Sequence, residues 1–112
     1  MSRITEAIAI RDRVVPFVQS NGIVENVGSG VSVVIATIGE LRFSLRTPFT
    51  RLPLFCPASY TDAIVLQRTR VNLPYGLDIW CGKKVFSLQW DHDGTIDLMS
   101  FRRGPWEQKI PN

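Results

Sequence analysis

The chain has 112 residues, 45% hydrophobic and 21% charged, with a net charge of +3 and two cysteines. That composition supports a core without covalent staples and excludes a disordered or fibrous chain, and the small positive charge falls short of a dedicated duplex nucleic-acid binder. No stretch approaches the ~18 apolar residues of a membrane span, and Ile8-Ala9-Ile10 ahead of Arg11-Asp12-Arg13 is too shallow for an export signal.

Apolar residues at Ile4, Ala7, Ile8, either Val14 or Val15, and Val18 recur near helical spacing and predict a helix over about 3–20, with Ser2 as its cap. Pro16 lacks an amide hydrogen, which predicts a kink around Val14-Val15, and Asn21-Gly22 ends the helix. Residues 23–30 show no clean period and read as a connector with room for a short strand. Val31 to Ile38 is apolar on both faces and reads as a central strand. Gly39-Glu40 then suits a two-residue hairpin loop that pairs Ile38 with Leu41, Ala36 with Phe43 and Val34 with Leu45.

Residues 47–60 hold Pro48, Pro53 and Pro57 among Phe49, Leu52, Leu54 and Phe55. Proline at this density excludes a regular strand, so the segment reads as an apolar arm that packs over an open sheet edge, closes as a lid or reaches a partner. Residues 61–70 read as a strand that starts buried and ends polar, and Asn72 to Gly76 is turn chemistry.

Leu77 to Phe101 is the most legible stretch. A turn at Gly82-Lys83 places Ile79 opposite Phe86, Leu77 opposite Leu88 and Trp80 opposite Val85. For the next turn, only a three-residue loop of His92, Asp93 and Gly94 keeps Ile96 and Leu98 on the face of Trp90 and Leu88. Gly104-Pro105 ends the sheet, and residues 107–112 read as a loose tail. The fold expected is a single α+β domain over 1–112: an N-terminal kinked helix packed on an antiparallel sheet of five or six strands, built from hairpins over about 31–102.

Alternation assigns the inner face to Val34, Ala36, Ile38, Leu41, Phe43, Leu45, Leu77, Ile79, Phe86, Leu88, Trp90, Ile96 and Leu98. The outer face is left with Val31, Val33, Ile35, Trp80, Val85, Met99 and Phe101, rimmed by Arg42 and Arg46, with Arg68 or Arg70 near by. A monomer seldom exposes so much apolar surface, so the arm, a second copy or a ligand is expected to cover it. The reading that follows is a non-catalytic domain that forms a homodimer and binds another protein through this face. Aromatic side chains beside arginine also fit single-stranded nucleic acid or an acidic ligand.

Catalytic signals are sparse. The one histidine, His92, sits between Asp91 and Asp93 where an Asp-rich turn with a following glycine is ordinary loop chemistry, so no metal site is expected. Cys56 and Cys81 read as reduced structural thiols in a cytoplasmic protein. Asp78 and Asp97 share the outer face one strand apart, and with His92 they are the residues a small-molecule enzyme on this scaffold would use. No glycine-rich phosphate loop occurs, and no cofactor is expected.

Overall fold

The computed structural model describes residues 3–28, 31–48, 64–65, 73–91 and 94–111. Its fold is α+β, with helix α1 (Arg3–Asn21) packed on a sheet of strands β1 (Ile23–Gly28), β2 (Val31–Ile38), β3 (Leu41–Pro48), β4 (Ile64–Val65), β5 (Tyr75–Cys81), β6 (Lys83–Trp90) and β7 (Thr95–Phe101). A 3-10 helix, Pro105–Lys109, follows the sheet. Strand order is β1-β2-β3-β5-β6-β7-β4, antiparallel throughout except for the two-residue parallel pairing of β4 with β7.

The sequence of α1 explains its docking. Ala7, Ile10, Val14, Val15 and Val18 are buried at spacings of three and four, which line one helix face. Pro16 lies on the exposed side and the helix continues past it to Asn21, whose side-chain amide donates to the Phe17 carbonyl at 2.9 Å. The Asp12 carbonyl, which Pro16 cannot serve, lies toward that solvent side, where water can serve it. Against the helix, the sheet presents Val34, Ala36, Phe43, Leu45, Leu77, Ile79, Phe86, Leu88, Trp90 and Ile96, all buried. Each large apolar side chain removed from water in this way contributes about 1.5–3 kcal/mol before entropy is counted.

The hairpin β2–β3 has the register expected from Gly39-Glu40, with Ile38 opposite Leu41 and Val34 opposite Leu45, although Ile38, at the hairpin's end, is 40% exposed rather than buried with the inner-face set. The loop after β6 also behaves as expected, because Trp90 faces Ile96, Leu88 faces Leu98 and Gly94 has φ +96°. Residues 23–28, expected to be mainly connector, form an edge strand on β2. The expected loose tail is instead packed through residue 110. Trp106 and Ile110 are buried, and Arg13 donates to the Ile110 carbonyl at 3.2 Å. Apolar anchors at positions 106 and 110 outweigh the breaking effect of Gly104-Pro105.

Two bulges change which residues face inward. At the β5–β6 connection, Cys81 pairs with Lys83 around a lone Gly82 at φ +81°, so Lys84 faces Trp80. Val85 is the extra residue before Phe86 regains Ile79, and it is buried in the core. Between β6 and β7, Met99 is the extra residue, which puts Ser100 opposite Ser87 and Phe101 opposite Phe86. Phe101 therefore turns inward, where its ring centroid lies 5.4 Å from that of Phe86 and 6.2 Å from that of Trp106. Both Val85 and Phe101 leave the outer face to which strict alternation assigns them.

Candidate functional site

Both helices pack on the inner face, and their apolar residues belong to the same buried cluster. Among the described residues no helix lies on the outer face. Its side chains come from alternate positions of the strands, offset where the two bulges fall: Val33 and Ile35 on β2, Arg42, Ser44 and Arg46 on β3, Asp78 and Trp80 on β5, Lys84, Ser87 and Gln89 on β6, Met99 and Ser100 on β7. Ile23 on β1 extends the apolar end of this face beside Ile35 and is 74% exposed.

Trp80 stands half-buried between two cations. The Arg42 guanidinium carbon is 5.3 Å from the ring centroid and the Lys84 ammonium 5.4 Å. This follows from register, since Arg42 and Lys84 are the residues opposite Trp80 on its two neighbouring strands. Cations at this range are attracted by the electron-rich faces of an indole.

Next to this sandwich lies a groove of about 360 Å3, which runs from Val33 across Ser44, Arg46, Asp78 and Ser87 to Met99 and Ser100. Its charged lining is Arg46, Lys84 and Asp78. Asp78 Oδ1 accepts the Ser87 hydroxyl hydrogen at 2.6 Å, and its Oδ2 is 3.9 Å from the Lys84 ammonium. Arg46 is placed by backbone. Its Nη2 donates to the Leu73 carbonyl oxygen at 2.8 Å, and the Leu73 amide donates in turn to Gln89 Oε1 at 3.4 Å. A side chain at position 76 would crowd this arrangement, because a Cβ there would lie 2.9 Å from Arg46 Nη2. Gly76 is thus the residue that lets the guanidinium lie over β5.

Of the face residues expected from sequence, Val33, Ile35, Arg42, Arg46, Trp80 and Met99 stand on the outer face, and Val85 and Phe101 are core. The arm residues Phe49, Leu52, Leu54 and Phe55 lie outside the described residues, as do Cys56, Arg68, Arg70 and His92. Asp97 and Asp78 are not brought together: Asp78 lines the groove, while Asp97 is buried opposite Gln89, is 5% exposed and does not line it. Cys81 is a half-buried free thiol, its sulfur 3.9 Å from Glu40 Oε1.

No protein-family model, curated protein or solved structure matches this chain. The chemistry of the site must therefore speak through its own residues. Among the described residues, no group of three or more His, Cys, Asp or Glu side chains could hold a metal ion, and no helix is long and apolar enough to cross a membrane.

The sequence reading missed Lys84, Ser100 and Gly76 as parts of the site. Lys84 and Ser100 reach the groove only through the two bulges, which alternation cannot locate. Gly76 carries a signal that could have been used, because a glycine inside a strand often marks a close approach. Arg11 was also missed. It is fully buried at a core-facing position of α1, its guanidinium carbon 5.0 Å from the Trp90 ring centroid, with Tyr75 stacked on Trp90 at 5.8 Å and Asp12 at 3.1 Å.

Proposed function

We propose that this is a small, non-catalytic cytoplasmic domain that pairs with a second copy of itself and binds another protein through the outer sheet face. The observation that carries this reading is the setting of Trp80, a large side chain left half-exposed between Arg42 and Lys84 on a face with no helix among the described residues. Buried aromatic and arginine anchors dominate protein interfaces, and here one of each stands side by side, next to Val33, Ile35 and Ile23. The groove contributes both signs of charge and several hydroxyls, which suits the mixed donors and acceptors of a polypeptide. A phosphate backbone offers acceptors alone and would meet the Asp78 carboxylate at the groove's centre, which weighs against nucleic acid. The free Cys81 thiol fits a reducing compartment.

Light scattering across a concentration series, on wild type and on Trp80→Arg, tests the reading. A wild-type dimer that the substitution splits, with an unchanged far-ultraviolet circular dichroism spectrum, supports pairing through this face. A monomer in both proteins overturns self-association.

A further inference from the structure

We infer that the outer-face groove selects an acidic polypeptide segment, with one of its carboxylates seated on Arg46 and its backbone amide hydrogens on Asp78. The inference rests on the outer face being a polypeptide-binding face and names what that face recognises.

Charge gives the first argument. The groove lining carries Arg46 and Lys84 against Asp78, a net charge of +1. Lys84 is shared with Asp78 at 3.9 Å, whereas among the described residues the only hydrogen bond of Arg46 goes to an uncharged carbonyl, that of Leu73. Toward the described residues the guanidinium keeps four of its five N–H donors, and none of their carboxylates is paired with its charge. A half-buried, pre-placed arginine of this kind is suited to a two-pronged bond with a carboxylate, because little side-chain freedom remains to be lost.

Asp78 supplies the second argument. With Oδ1 on Ser87 and Oδ2 at 3.9 Å from Lys84, the carboxylate retains acceptor capacity toward the groove. An amide-bearing chain can use it, and a purely anionic ligand cannot. The third argument is the groove's two ends. Val33 lies at one and Met99, 45% exposed, at the other, so an acidic residue on Arg46 would be flanked by apolar ones.

The test is panning of a phage-displayed random octapeptide library on wild type and on Trp80→Arg, followed by fluorescence anisotropy of the enriched peptides on wild type and Arg46→Gln. Enriched sequences should carry Asp or Glu next to an apolar residue, and affinity should fall about tenfold or more in Arg46→Gln. Replacing the peptide's Glu by Gln should cause a similar loss on wild-type protein, which removes any doubt about folding of the variant. Enriched peptides without an acidic residue, or an acidic residue whose replacement changes nothing, would overturn the inference; if Trp80→Arg still abolished their binding, the face itself would stand. No enrichment over an unrelated control protein would overturn both. Displacement of the peptide by a thymidine decamer at equal concentration would also overturn the inference, since it would show selection for anionic charge alone.

Discussion

Arg103 holds Glu6 with both prongs of its guanidinium, Nη1 at 2.6 Å from Oε1 and Nη2 at 2.8 Å from Oε2, across 97 residues of sequence. The pair ties the segment after β7 to the first turns of α1. Glu107 joins it at 3.4 Å, and the Arg103 guanidinium also lies over the Phe101 ring at 4.7 Å.

This pair predicts an acid limb in stability. Hydrogen bonding from Arg103, aided by its charge, holds the Glu6 carboxyl below its ordinary value of 4.5. A depressed carboxyl stabilises the fold above its unfolded pKa, and the gain is lost as pH falls through the lower folded value. The Tm difference between wild type and Glu6→Gln should therefore be small and constant from pH 8 to 6, then shrink below about pH 4.5 and vanish in stronger acid. A difference that persists undiminished at pH 3 would contradict the assignment.

The bulge at Met99 predicts opposite outcomes for near neighbours. Phe101→Ala empties a site packed by Phe86 and Trp106 and should cost about 3–5 kcal/mol in urea unfolding. Met99→Ala, on the outer side, should stay within about 0.5 kcal/mol. Equal costs would place the two residues on the wrong faces.

Gly76 and Arg46 should behave as one unit. Gly76→Ala pushes the guanidinium off the Leu73 carbonyl, and Arg46→Gln removes it, each at about 1 kcal/mol. The double substitution should then cost no more than the larger single one, as coupled neighbours do. Simple additivity would show that Gly76 serves some other purpose.

The three tryptophans give a direct optical check of the outer face. Trp90 and Trp106 are 0% and 3% exposed, and only Trp80 is within reach of solvent. In protein dilute enough to leave the proposed pair dissociated, iodide should quench one component of the emission and leave the rest, and it should do so better than caesium because Arg42 and Lys84 flank the ring. Trp80→Phe should abolish the quenchable component; a quenchable remainder would mean that a core tryptophan is reached.

How far the sequence could be read depends on where its period holds. The β2–β3 hairpin was legible to the residue because Gly39-Glu40 sets the turn and the eight residues on either side pair without a bulge. The same rule misplaced Val85, which is itself the extra residue of one bulge, and Phe101, which the extra residue Met99 turns to the other face. The long apolar faces of α1 and the sheet made the core predictable. Lys84 in the groove was not, because its position depends on a turn one residue tighter than the two-residue form. The C-terminal packing was hidden for another reason: Trp106 and Ile110 are too few to make a period, and only the partners they meet reveal them as anchors.

The tie between Arg103 and Glu6, with Arg13 on the Ile110 carbonyl, has a practical corollary. It gathers residues near both chain ends on the side of the sheet that α1 already covers. A fluorophore or affinity handle attached at the exposed Ser20 of α1 or Gln108 of the 3-10 helix would sit on that covered side, leaving the face bearing Trp80 and Arg46 turned away from the support in immobilised binding assays.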